Sequence, residues 1–300
     1  MTSNGSTDNA GLQAGQPAAS DDRSVRAIEP GVQRDLSTNM SYGDYLDLDR
    51  LLSAQHLRSQ PQQHDELLFI IQHQTSELWL KLVIHELRSA RSLLAADDLP
   101  QTLKRLARVK HIQNQLSEQW SVLATLTPSE YALIRPFLAT SSGFQSWQYR
   151  AVEFLLGNKN AGMVEMFAHD PAAEQLLSGL LEEPSLYDEF LRYLARRGYP
   201  IPSAVLERDV RKPYEIDTDL VTAFEAVYAE PTRHWGVYET CEELVDLEDN
   251  FQLWRFRHLR VVERIIGDKM GTGGSSGVDF LRKALRLSFF PELYAVRSVL

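Results

Sequence analysis

His73 lies in the middle of an apolar helical run, Phe69-Ile70-Ile71-Gln72-His73-Gln74-Thr75-Ser76-Glu77-Leu78-Trp79, and Phe69 stands four residues before it. On a helix these two side chains share a face, one turn apart. An aromatic plate beside an imidazole suits a flat ligand that carries one polar atom. A histidine in an apolar stripe is more often a core residue bonded to a carbonyl, and spacing alone does not separate the two readings. His258 poses the same choice, with Phe251, Trp254, Val261, Val262 and Ile265 around it at helical spacing. Such a face can hold a large flat hydrophobic cofactor with the imidazole as axial ligand to its iron, or it can be plain core.

Two further features carry polar chemistry. Tyr131 and Arg135 are one helical turn apart, and a guanidinium at a short helix end can clamp a carboxylate through two parallel bonds. The same pair also fits a surface arginine with a half-buried tyrosine. The loop Gly271-Thr272-Gly273-Gly274-Ser275-Ser276-Gly277 has too much backbone freedom for a passive turn. It fits a lid that offers the Thr272 hydroxyl, or a disordered connection. Familiar sites are missing: there is no His-Glu-x-x-His and no phosphate loop ending in Lys-Ser/Thr. Ser142 with His73 leaves a hydrolase open, without a motif that favours it.

The elements that must position these residues read as helices. Gln62 to Ala95 is helical in pattern without glycine or proline. Asp98 and Pro100 announce a helix with Leu103, Leu106, Val109, Ile112, Leu116, Trp120 and Leu123 on one face. Thr127-Pro128-Ser129-Glu130 is a capping box that opens a short helix, closed by Pro136. Shorter helices fill 171–230, Thr232 to Ile266 is long again, and a last helix runs through Phe280, Leu281, Leu285 and Leu287. No run alternates as a strand would, so the predicted fold is all-α. Residues 1–38 are polar, with scattered apolar side chains, and read as a disordered tail; 39–300 read as one helical domain.

A net charge of −10 argues against nucleic acid or an anionic membrane as partner. The basic cluster Arg255 to Arg260 follows a run of acidic residues and reads as one polar face of a helix. With one cysteine, Cys241, neither an internal disulfide nor a thiolate zinc site can form within the chain. No apolar run reaches membrane-span length and no secretory signal is apparent, so a cytoplasmic protein is expected.

In combination, the run Phe69 to Trp79, Tyr131-x-x-x-Arg135, Ser142-Gly143-Phe144-Gln145-Ser146, Trp254-Arg255-x-x-His258 and the glycine loop resemble the tryptophan 2,3-dioxygenase family, from about Tyr42 to the C-terminus. The resemblance implies an all-helical haem dioxygenase fold with long core helices, binding haem b with one iron per subunit and assembled as a homotetramer. It implies insertion of both atoms of O2 into the indole C2–C3 bond of L-tryptophan. The product would be N-formyl-L-kynurenine, formed in the first step of tryptophan degradation by the kynurenine route.

Carried over by position, His258 is the axial iron ligand, and Trp120, Ser142 and Gly143 are further haem contacts. His73 accepts a hydrogen bond from the indole N–H, Phe69 packs the ring, and Ile70, Ile71 and Gln72 line the substrate. Tyr131 and Arg135 hold the carboxylate, Ser142, Gly143 and Thr272 complete the amino-acid end, and Tyr42, Tyr45 and Leu46 close a neighbouring subunit's pocket. A haem-binding helical sensor without turnover is the competing reading; it needs His258 but not Tyr131, Arg135 and Thr272 together.

Overall fold

The computed structural model describes residue 26 and residues 28–300, and every regular element among them is a helix. The expected tail lies outside the described residues for 1–25 and 27; residues 26 and 28–38 carry no helix. Packing divides the chain into two units, with the boundary between Ala54 and Gln55. The first holds two short helices, α1 (Tyr42–Leu46) and α2 (Leu48–Leu52). Ser41 and Asp44 form a capping box at the start of α1, and no residue of either helix is buried.

The second unit is built on three long helices. α3 (Glu66–Ala95) packs on α4 (Leu99–Glu118), and α4 packs in turn on α13 (Trp235–Ile265). Between α4 and α13 in the chain come α5 (Trp120–Leu123), α6 (Pro128–Ile134), α7 (Trp147–Leu156), α8 (Gly162–Glu165), α9 (Pro171–Glu182), α10 (Leu186–Arg196), α11 (Ser203–Leu206) and α12 (Thr218–Ala229); α14 (Val278–Ala284) and α15 (Pro291–Ala295) follow. At 1.5 Å per residue, α3 is about 45 Å long. It begins at Glu66 and not at Gln62, because the Glu66 carboxylate accepts the backbone N–H groups of Arg58 and Ser59 and holds the entering chain across the helix start.

Leu87, Ala90 and Leu94 of α3 and Leu106 and Val109 of α4 are almost wholly excluded from solvent. Polar ties fix the register between the long helices. Gln113 donates to the Leu247 carbonyl at 3.1 Å, and Lys110 bridges Glu243 and Asp246. The stripe expected to continue through Trp120 breaks at Gln119, which makes Trp120 the first residue of α5, a helix in contact with both α3 and α13. The last expected helix also divides: α14 stops at Ala284, and Pro291 opens α15. Among the described residues no helix is long and apolar enough to cross a membrane.

The central packing carries a measurable consequence. Leu87→Ala, at a site with no solvent exposure, should lower the unfolding free energy by about 3 kcal/mol in urea titration with an unchanged slope. Leu78→Ala, at a half-exposed position of the same helix, should cost less than about 0.5 kcal/mol.

Candidate active site

His73 sits two turns into α3, and its Nδ1 lies 2.7 Å from the Phe69 carbonyl oxygen. A carbonyl only accepts, so Nδ1 carries the hydrogen and Nε2 is left with a free lone pair. Burial depresses the His73 pKa below its ordinary 6.5, against the opposing pull of the Phe69 carbonyl and Glu77, so the ring is neutral at pH 7. The Phe69 ring stands 4.3 Å from the imidazole and 6.0 Å from the ring of Tyr131. Three side chains from two helices thus form an apolar wall with one hydrogen-bond acceptor.

The capping box forms as the sequence predicts: Thr127 N–H donates to Glu130 at 2.7 Å, and Glu130 N–H donates to the Thr127 hydroxyl. It starts α6, which places Tyr131, buried, one turn before Arg135. Burial raises the Tyr131 phenol above 10, with the adjacent Arg135 guanidinium opposing, so the hydroxyl remains a donor at neutral pH. Arg135 donates through Nη2 to the Met270 carbonyl at 2.6 Å, while its Nη1 is buried without a partner among the described residues.

The glycine loop is docked. Thr272 donates to the Ser141 carbonyl at 2.5 Å, Gly271 N–H to the Ser275 carbonyl at 3.1 Å, and Arg135 holds the loop at Met270. A Cβ on Gly273 would stand 2.8 Å from the Cβ of Ser142, so glycine there is what permits the approach. Ser142 and Gly143 start a short 3₁₀ turn in which the Ser142 hydroxyl accepts from Phe144 N–H. That local cap gives no activation of Ser142 as a nucleophile, and the hydrolase reading loses its support.

On the opposite side, His258 is flanked by two indoles: the Trp120 ring stacks on it at 4.6 Å and 9°, and the Trp254 ring lies 6.2 Å away. Burial, with a smaller contribution from His73, pushes the His258 pKa down to about 4, so this ring is also neutral at pH 7. The two imidazoles, on α3 and α13, are therefore close enough for charge on one to disfavour charge on the other. Neither ring nitrogen of His258 is hydrogen-bonded among the described residues, and the indole N–H groups of Trp120 and Trp254 are buried without partners.

The residues fit a haem. A neutral imidazole with no competing hydrogen bond, walled by aromatic rings, suits an axial iron ligand. Among the described residues no group of His, Cys, Asp and Glu could hold a metal ion by itself. An iron here would need a carrier supplying its remaining ligands.

Other expected site residues lie elsewhere. Successive helical side chains are 100° apart, so Phe69 to His73 cannot all face one ligand. Ile70 is half-buried. Ile71 and Gln72 line an open groove of about 540 Å³ with Leu68, Thr75, Trp79 and Val122. Tyr42 and Tyr45 are three-quarters exposed and Leu46 is also exposed, all three in the first unit.

The structure also corrects the reading of Arg255 as part of a polar face: it is buried, whereas Arg257 and Arg260 pair with Glu118 and Glu263 nearer the surface. Sequence reasoning gave Tyr149, Glu153 and Arg255 no role. The sign that was available is the charge at Arg255, one residue after Trp254 inside the apolar stripe. Met270 contacts Arg135 through its backbone, which leaves no mark in residue type.

The family model described as tryptophan 2,3-dioxygenase matches residues 27–179 and 165–300. The chain is 65% identical over 277 residues to the tryptophan 2,3-dioxygenase of Kineococcus radiotolerans, covering 92% of this chain and 97% of that protein. It is 64% identical to that of Saccharopolyspora erythraea (91% and 97% covered) and 60% identical to that of Myxococcus xanthus (92% and 94% covered). The fold and the site mark an all-helical protein with two neutral imidazoles set among aromatic side chains. The chain belongs to the tryptophan 2,3-dioxygenase family.

Loop docking can be checked without any ligand. Gly273→Ala should lift the loop from Ser142 and speed limited proteolysis within 269–277 severalfold. Gly179→Ala, on a helix face with open space around the added methyl, should leave the cleavage rate unchanged.

Proposed function

We infer that the chain catalyses insertion of both atoms of O2 across the indole C2–C3 bond of L-tryptophan, giving N-formyl-L-kynurenine with haem b as cofactor. One observation carries the reading: on opposing helices stand two neutral imidazoles, His73 with a free acceptor nitrogen and His258 with no hydrogen bond among the described residues. The Phe69 ring beside His73 adjoins Tyr131, one turn from Arg135, whose Nη1 is also unpartnered there. Haem, when bound at His258 beside Trp120, Ser142 and Gly143, supplies the chemistry that activates dioxygen.

The protein's own task is to bind and orient the substrate and to exclude water. In this reading the indole lies against Phe69 with its N–H directed at His73 Nε2, and Tyr131 and Arg135 take the carboxylate. Thr272, Ser142 and Gly143 cover the amino-acid end. The reaction adds one O2, breaks the ring C2–C3 bond, and keeps the nitrogen-bound hydrogen in the formamide product. No net proton leaves the substrate. His73 is therefore assigned to orientation, an acceptor that fixes the ring, and not to permanent proton removal.

The same reading makes the molecule a cytoplasmic homotetramer of subunits whose 39–300 portion is the catalytic domain. Its support is the first unit itself: Tyr42, Tyr45 and Leu46 stand on a helix that buries none of its residues, as expected of a segment that closes a neighbouring subunit's pocket. The haem-sensor alternative leaves the unpartnered Arg135 donor and the loop over it without a purpose.

Reduced, haem-loaded protein given L-tryptophan in air should consume oxygen and develop formylkynurenine absorbance; a haem spectrum without oxygen uptake would establish the sensor reading instead. His258→Ala should lose the Soret band. His73→Ala should keep measurable turnover with at least a tenfold higher KM, and total inactivity with intact haem would refute the orienting role. Because the His73 pKa is depressed, the acceptor persists through neutral pH and is lost only on acidification. KM for L-tryptophan should stay flat around neutral pH and rise only on acidification beyond the ordinary histidine range, a rise that His73→Ala should abolish.

A further inference from the structure

The loop Gly271–Gly277 has four glycines in seven residues, and two of them, Gly274 and Gly277, adopt positive φ (82° and 62°). Such a segment loses much conformational entropy on docking, so contacts at its ends must hold it. The ends meet: a Cβ on Gly277 would stand 2.6 Å from the Lys269 carbonyl oxygen, and within the loop Gly271 N–H donates to the Ser275 carbonyl. Residues 269–277 are therefore tied as one unit to the first turn of α14, which follows them. Val278 of that turn is buried, and Phe280 meets the Phe144 ring edge-on, at 5.0 Å and 86°.

Phe144 is a fixed partner. It lies in the short turn that starts at Ser142, whose hydroxyl accepts its N–H at 3.4 Å, and the guanidinium of the buried Arg150 lies 5.2 Å from its ring centroid. Arg150 is itself paired with Glu153 on α7. Arg282 on Glu263 at 2.7 Å and Arg255 on the Ala284 carbonyl at 3.1 Å hold α14 along α13. Phe280 instead crosses to the turn on which the loop docks. The loop reaches the site through the Met270 carbonyl, which accepts from Arg135 Nη2, and through Thr272, which donates to the Ser141 carbonyl. An edge-to-face ring pair favours a docked state severalfold beyond the apolar area it buries.

We propose that Phe280, seated on Phe144, is a positioning residue that holds the glycine loop docked and so favours ligands that carry an intact amino-acid end. The inference rests on Arg135 as the carboxylate clamp of the function proposed above. With the loop docked, Arg135 Nη2 is held by the Met270 carbonyl and Nη1 stays open for the carboxylate. With Phe280 released, the Met270 carbonyl leaves, the guanidinium loses its fixed direction, and the Thr272 hydroxyl goes with the loop. The wall of Phe69 and His73 belongs to α3 and is untouched. The loss therefore falls on the amino-acid end and spares the indole.

Limited proteolysis within 269–277 and ligand binding to the haem-loaded protein test this together. Phe280→Ala should speed cleavage by about fivefold, and Phe144→Ala should do the same. The double variant should be little faster than either single one, because both remove one shared contact. Phe280→Leu, apolar but without the ring edge, should show the same pattern more weakly and takes the place of Phe280→Ala if that variant does not fold. The Kd for L-tryptophan, read from the haem spectrum, should rise severalfold in Phe280→Ala. That of 3-methylindole, which has no amino-acid end, should change by less than about twofold. Unchanged cleavage, independent effects of the two substitutions, or equal losses for the two ligands would overturn the proposal, since a merely structural ring would weaken both ligands alike. An unsubstituted protein that binds L-tryptophan no better than 3-methylindole would refute the reading of Arg135 itself, a result separate from the cleavage rates of these variants.

Discussion

Every feature of the site depends on α4 packing against α3 on one side and α13 on the other. His73 and His258 are far apart in the chain, and neither helix alone defines a site. The buried stripe of α4 through Leu106, Val109 and Ile112 sets the spacing between them, and Gln113 and Lys110 fix how α13 lies along it. The break at Gln119 then turns the chain so that Trp120 comes against His258, while the Gln119 side chain donates to Ser76 at 2.7 Å. One residue of helix interruption thus ties the α3 wall and anchors the indole on the α13 wall.

Desolvation does the rest. Burial is the leading cause of the low pKa at both histidines, and it keeps both rings neutral where a hydrated pair would partly charge. Neutrality gives the two rings different uses because their second nitrogens differ. At His73 the Phe69 carbonyl claims the hydrogen and leaves an acceptor. At His258 no backbone carbonyl competes among the described residues, and both nitrogens are uncommitted there. Arg255, a turn away on α13, is buried together with Arg150, and each of its nitrogens has a partner.

The long helices were readable because apolar periodicity over twenty to thirty residues is a strong signal, as in Leu80, Val83, Leu87, Ala90 and Leu94. The α6 start was readable because a capping box is local chemistry written in four adjacent residues. Where partners came from distant segments, the sequence was silent. Arg255 looked like the start of a polar face, since nothing nearby in the chain shows that Glu153, Tyr149 and the Ala284 carbonyl would surround it. Ile71 and Gln72 were grouped with His73 by adjacency in the family motif, but helical geometry turns them toward a different groove. The division between α14 and α15 went unread because Leu285 and Leu287 continue an apolar pattern while the Glu248 carboxylate captures the N–H groups of Phe289 and Phe290.

Arg135 shows how a binding site differs from a packing site. A buried donor without an acceptor costs about 1–3 kcal/mol, and Nη1 carries such a cost while Nη2 is satisfied by the Met270 carbonyl. At the buried Arg255 each nitrogen has a partner, although Nε of the buried Arg150 has none among the described residues. Leaving one open at Arg135, beside the Tyr131 hydroxyl and under a glycine-bearing loop, is what a site needs if its missing acceptor arrives with the substrate. A carboxylate is the acceptor that repays the most there, because charge-assisted bonds to a guanidinium are about twice as strong as the neutral carbonyl bond that Met270 makes. The same arginine joins loop and ligand, so a carboxylate that draws on the guanidinium also acts on the loop that covers it.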